Sequence, residues 1–172
     1  MVALIDSGVD ASHPALAGAI VDGFNALPDN EPDPHGTGMA GGIVSVAPHV
    51  KIIPVRVFGA GVKATTFNII KGFDWAAKRG ARIVNMSFTG PPDRRLRQML
   101  LAASEDGIVL VASAGNAGPK APPSFPGAEP NVIAVTATDD NDEVFGEANR
   151  GHYITVAAPG VDVLVPAPDA TR

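Results

Sequence analysis

Asp6, His35 and Asn116 are side chains of the types that together can run acyl transfer. A carboxylate fixes the tautomer of an imidazole, the imidazole acts as base towards a hydroxyl, and an amide donates to the oxyanion of a tetrahedral intermediate. Asp6 stands in Ile5-Asp6-Ser7-Gly8. His35 opens His35-Gly36-Thr37-Gly38-Met39-Ala40-Gly41-Gly42, and Asn116 follows Ala114-Gly115. Each taken alone also has an ordinary structural reading: an Asp-Ser-Gly turn, a histidine that caps or lies in a loop, an asparagine in a tight turn.

The elements that must position them alternate between strand and helix. Short apolar runs bounded by turn residues predict buried strands over Val2–Ile5, Lys51–Phe58, Arg82–Phe88, Ile108–Ala114, Val132–Thr138 and Tyr153–Ala158. Helices are predicted over His35–Val46, Thr65–Arg79 and Pro92–Asp106. Thr65 or Thr66 can cap the second, and Gly80 can end it. Strands apolar on both faces, alternating with helices, predict an α/β fold: a largely parallel sheet with helices on both faces. In such sheets, ligands and catalytic groups gather at the carboxyl ends of strands. Asp6 follows the first strand there, Asn85, Ser87 and Gly90 lie at the end of the third, and Ser113, Gly115 and Asn116 at the end of the fourth. His35 begins a helix.

A chain of 172 residues is expected to form one domain. It is 45% hydrophobic and 18% charged, with a mean hydropathy of +0.15 and no apolar run long enough for a membrane helix. Its net charge of −5 and the lack of a basic stripe argue against a nucleic-acid partner. Without cysteine there are no disulfides, thiol nucleophiles or thiolate metal sites. Glycine and proline are spread along the chain as punctuation, with no linker or repeat. No signal-peptide pattern opens the sequence.

Gly36-Thr37-Gly38-Met39-Ala40-Gly41 also matches G-x-G-x-x-G, which raises dinucleotide binding. That fingerprint needs a strand immediately before it and an acid about twenty residues on. Here Pro28-Asp29-Asn30-Glu31-Pro32-Asp33-Pro34 precedes it, and the next strand runs out in Val57-Phe58-Gly59 without an acid.

Taken together, five segments in order resemble the subtilisin-like serine peptidases, the subtilases. Val2-Ala3-Leu4-Ile5-Asp6-Ser7-Gly8 is similar to the family's catalytic-aspartate segment, and His35-Gly36-Thr37-Gly38-Met39-Ala40-Gly41 to its histidine motif. Ile83–Gly90 resembles the strand lining the substrate cleft, Val111–Asn116 the oxyanion-asparagine segment, and Ala157-Ala158-Pro159-Gly160 the motif before the serine region. Aspartate before histidine is the order of the subtilisin triad. The resemblance implies a subtilisin-like fold and a serine endopeptidase in which Asp6 orients His35, His35 deprotonates a serine, and Asn116 stabilises the oxyanion. It further implies that Ser87, Phe88, Thr89 and Gly90 pair with an extended peptide or protein substrate, and that Ser113, Ala114 and Gly115 line a pocket roomy enough for a medium or large apolar side chain. A secreted or periplasmic location, and calcium, are implied by family alone; no calcium site is identified in this sequence.

The sequence also departs from the pattern. The family's Gly-Thr-Ser-x-Ala motif is absent, and none of Ser7, Ser12, Ser45, Ser87, Ser104, Ser113 and Ser124 occupies such a motif. The chain alone is therefore expected to be inactive, and the domain incomplete at its C-terminus and at its N-terminus. Gly38 stands where a second histidine is common, which is expected to leave His35 unaffected and loosen the helix start. Thr89 stands where glycine is usual. No long calcium-holding loop is visible between Val44 and Val50, and Asp139–Glu143 lacks calcium-loop spacing. His13, His49 and His152 have no metal-ligand spacing. Three function classes follow: a part of a serine endopeptidase, a pseudopeptidase that binds peptides without cutting, and, least favoured, a nucleotide-binding protein. Apolar surface left uncovered is expected to invite self-association or a missing C-terminal segment.

Overall fold

The computed structural model describes residues 1–28, 33–59 and 61–168. Asp29–Pro32, part of the stretch before the glycine-rich motif, and Asp169–Arg172 lie outside them. The chain divides into two compact units, 1–85 with 165–172, and 86–164.

In the first unit the strands β1 (Val2–Asp6), β2 (Phe24–Asn25), β3 (Ile52–Arg56) and β4 (Ile83–Met86, all but its last residue within this unit) take the spatial order β2-β3-β1-β4. β1 pairs parallel with β3, from Val2 opposite Ile52 to Asp6 opposite Arg56, and β2 pairs parallel with β3. β1 is buried at every position, as its apolar run predicts. Helix α1 (Pro34–Val46) starts at Asp33, whose carboxylate accepts the His35 N–H at 3.0 Å. Helix α2 (Thr66–Lys78) starts at Thr65, whose hydroxyl accepts from the Asn68 N–H at 3.1 Å, and the chain turns away at Gly80 with φ +83°.

The two helices cover opposite faces of β1 and β3. Residues opposite one another in register share a face, and neighbours along a strand do not. Leu4 and Ile52 lie on one face and form a buried cluster with Leu16 and with Ala40 of α1. Ile5 and Val55 lie on the other, where α2 comes so close that a Cβ on Gly72 would stand 2.4 Å from a Val55 methyl. An α/β sandwich of parallel strands with helices on both faces results.

In the second unit β5 (Val109–Ser113), β6 (Ile133–Thr138) and β7 (Val156–Pro159) lie side by side in parallel, preceded by helix α3 (Arg94–Glu105). The helix begins two residues later than Pro92, because Asp93 caps it by accepting from Arg95 and Leu96 N–H at 2.8 and 2.9 Å. β7 begins at Val156 rather than Tyr153, since Tyr153 lies in a turn and Thr155 turns its hydroxyl to the Ala134 N–H. Register puts Val109, Ile133 and Val156 on one face, at 44%, 36% and 45% exposure. That is an uncovered apolar surface. β2, only two residues long, leaves no periodicity from which the sequence reveals it.

The tightness of the α2 contact sets an expected outcome. Gly72→Val should lower the unfolding free energy by about 2–3 kcal/mol through overpacking against Val55 and Phe24. A urea denaturation midpoint equal to or above that of the parent would contradict this packing.

Candidate active site

The first unit brings Asp6 and His35 together. Asp6 ends β1 with no exposed surface, while the His35 side chain at the start of α1 is 45% exposed. His35 Nδ1 lies 2.7 Å from Asp6 Oδ1. An ionised carboxylate only accepts, so Nδ1 carries the ring proton and donates it. The lone pair is then on Nε2, the nitrogen not engaged with Asp6, which suits it to act as base.

Ser7 holds this pair in place. Its backbone N–H donates to Asp6 Oδ1 at 2.7 Å, and its hydroxyl lies 3.1 Å from the same oxygen. That hydroxyl also accepts from the Gly36 N–H at 3.0 Å, which fastens the first turn of α1 to the end of β1. Arg56, almost wholly buried, donates from Nε to the Ser7 carbonyl at 3.2 Å. Thr37, fully buried, accepts from the Asp10 N–H at 3.0 Å. Position 36 must be glycine, because a Cβ there would fall 2.0 Å from the Gly8 carbonyl oxygen. The sequence His35-Gly36-Thr37 thus has one job per residue: the ring reaches the carboxylate, the glycine admits the turn, and the threonine bonds the segment beyond it. Ser7 is 1% exposed and bonded on both sides, so it is no nucleophile.

His35 has its pKa raised, foremost by the Asp6 hydrogen bond, against the opposing effect of partial burial; the charges of Asp6 and Asp33 add to the rise. Asp6 Oδ2 is buried and has no hydrogen-bond partner among the described residues. All the donors recorded on this carboxylate converge on Oδ1.

The second unit holds an open cleft of about 310 Å³. Ser87, Phe88, Thr89, Ser113, Gly115 and Asn116 line it, together with Ala117 and Ser124. Ser87–Thr89 follow β4 directly. Gly90 lies outside the lining and bridges Phe125, donating its N–H to the Phe125 carbonyl at 2.9 Å. Ala114 is also outside it: its side chain is buried, and its carbonyl accepts from the Tyr153 hydroxyl at 2.5 Å. Asn116 is exposed, and its side chain has no protein partner among the described residues. Sequence reasoning passed over Asn149, a fully buried side chain bonded to this loop, because one asparagine before Arg-Gly has no distinguishing pattern.

The glycine-rich motif is no phosphate cradle. Gly36 abuts Gly8, while Val165 and Pro166 fill the space beside Gly38 and Gly41. The start of α1 at Gly38 is therefore packed rather than loose. Among the described residues no group of three or more histidine or acidic side chains is arranged to hold a metal. Asp139 turns its carboxylate to its own loop, accepting from the Asn141 and Glu143 N–H groups at 2.9 Å each. No described helix is long and apolar enough to cross a membrane.

A model of the Subtilase family matches residues 1–171. Thermitase of Thermoactinomyces vulgaris is 36% identical over 99% of this chain, which spans 66% of that protein. Among solved structures, the prenylagaramide maturation protease PagA aligns with a TM-score of 0.86 at 28% identity, covering 98% of this chain and 65% of that one. A cold-adapted subtilisin-like serine proteinase aligns with a TM-score of 0.83 at 30% identity, covering 92% of this chain and 62% of its own. The chain thus spans about two thirds of the length of these relatives.

The hydrogen bond fixes the direction of two titrations. His35 should titrate by NMR above the ordinary imidazole value of about 6.5, and Asp6→Asn should bring its midpoint down, since the main cause of the rise is removed while burial remains. By linkage, the stability His35 contributes is complete below its unfolded pKa and is lost as pH rises through the raised folded one. A midpoint at or below the ordinary value in the parent would contradict the pairing.

Proposed function

From the premise that this chain belongs to the subtilase family, we propose that it is the aspartate- and histidine-bearing part of a serine endopeptidase. The observation that carries this reading is the 2.7 Å hydrogen bond from His35 Nδ1 to a wholly buried Asp6, with the ring's other nitrogen left as acceptor. In the proposed reaction His35 Nε2 takes the proton of a serine hydroxyl as its oxygen attacks the scissile carbonyl. Asp6 stabilises the imidazolium, and the proton passes on to the leaving amine. Asn116 donates to the oxyanion; in the measured case, itself a subtilisin, loss of such a donor costs about 10²–10³ in turnover. Substrate is an extended peptide or protein chain along Ser87–Gly90. By the family resemblance, a medium or large apolar side chain enters the cleft beside Ser113, Gly115 and Phe88. A secreted or periplasmic location accompanies this reading.

The nucleophile belongs to a Gly-Thr-Ser-x-Ala segment outside the seven serines of this chain. The 172-residue chain should neither cleave peptides nor be labelled by a fluorophosphonate. The coding sequence beyond Arg172 should encode the Gly-Thr-Ser-x-Ala motif, and the protein containing it should react with the same probe and lose that reactivity in His35→Ala. A stop codon directly after Arg172 would favour the peptide-binding pseudopeptidase instead, and stoichiometric labelling of the chain alone would overturn the assignment of the nucleophile. The exposed Val109–Ile133–Val156 face supports self-association of the isolated chain. Sedimentation should show concentration-dependent association, and a monomer at all concentrations would refute it.

A further inference from the structure

Asn149 has no exposed surface. A primary amide buried this completely is costly unless its polar atoms are all bonded. Here they are. Its Oδ1 accepts from the Ala117 N–H at 2.9 Å. Its Nδ2 donates to Ser124 Oγ at 2.9 Å and to the Pro122 carbonyl at 3.3 Å. Its backbone N–H donates to the Gly115 carbonyl at 2.9 Å.

These bonds fall on both sides of Asn116. Gly115 and Ala117, the residues flanking it, are each held by Asn149, whereas Asn116 itself is exposed. The neighbouring chain reinforces the bracket: the Gly118 N–H donates to the Glu147 carbonyl at 2.8 Å, and the Tyr153 hydroxyl to the Ala114 carbonyl at 2.5 Å. Residues 147–153 therefore splint residues 114–118. The fit leaves no slack. Gly115 adopts φ +99°, and a Cβ there would stand 2.7 Å from Ser124 Oγ and 2.8 Å from Asn149 Nδ2. Ser124 and Ala117 both line the cleft, so the same amide ties the Asn116 loop to a second stretch of its lining.

We propose that Asn149 is the positioning residue that fixes the Asn116 loop and ties it to the Ser124 wall of the cleft. The inference rests on the peptidase reading for what the loop is fixed to do: hold a single exposed amide where the oxyanion forms. Glutamine carries the same groups on a longer stem, and three other common replacements do not supply the set. Aspartate lacks both donors, serine is too short to reach two walls, and leucine has the volume without polar atoms.

Amide hydrogen exchange on the 172-residue chain tests this without any cleavage, so a failed peptidase assay and a failed positioning role are told apart. In Asn149→Leu the Ala117 amide should exchange about tenfold faster or more, with the β5 and β6 amides within about twofold of the parent. The Asn116 side-chain amide signals should move with it. If Asn149→Leu does not fold, Ser124→Ala removes only one acceptor and should speed Ala117 exchange by about threefold, through a loosened Asn149 amide. Uniform acceleration across β5 and β6 would mean that Asn149 is merely structural and would overturn the proposal. So would an unchanged Ala117 in the variant that folds.

Discussion

The close approach of the α1 start to the turn after β1 is the constraint on which the first unit depends. Gly36 lies against the Gly8 carbonyl, and its N–H reaches the Ser7 hydroxyl at 3.0 Å. Only at that separation does His35, one residue earlier, reach Asp6 at 2.7 Å. A side chain at position 36 would push the helix away from the turn, and the imidazole with it. The cap works in the same direction: Asp33 accepts the His35 N–H, and its own N–H donates to the Ser7 carbonyl at 3.3 Å. Packing on the far side of the helix, from Val165 and Pro166 against Gly38 and Gly41, opposes retreat.

The electrostatics follow from that geometry. A wholly buried carboxylate faces a half-exposed ring, so the ring's protonated form gains its partner without the full cost of burial, and its pKa rises. A base with a raised pKa is a stronger proton acceptor once neutral, at the expense of needing a higher pH to become so. The second unit shows the same division of labour. Asn116 is exposed, while the amide of Asn149 and the hydroxyl of Tyr153 hold the loop around it. In both places the group that meets substrate in the proposed reaction is accessible, and fully bonded or buried polar neighbours give it its position.

Much of this was legible in the sequence, for identifiable reasons. The parallel strands announced themselves because strands buried on both faces are apolar at every position, as Val2–Ile5 is. Asp6 and His35 stood out through motifs whose glycine and threonine positions turn out to serve the contact itself. Other features were not legible because they depend on residues distant in sequence. Nothing around Asn149 predicts that it meets Ala117 and Ser124, 32 and 25 residues away. Nor does anything before β7 predict that the Tyr153 hydroxyl meets the Ala114 carbonyl, 39 residues back. The family resemblance implies a pocket position for Ala114, but the residue directly after β5 is buried, and its carbonyl accepts from the Tyr153 hydroxyl.

The central claim is that His35 is an imidazole base held in one tautomer by Asp6. Nitrogen-15 NMR of the histidine ring at a pH above its titration reads this directly. The account predicts a protonated Nδ1 with a downfield, slowly exchanging proton and an unprotonated Nε2. A ring protonated on Nε2, or averaging freely between the two nitrogens, would contradict it.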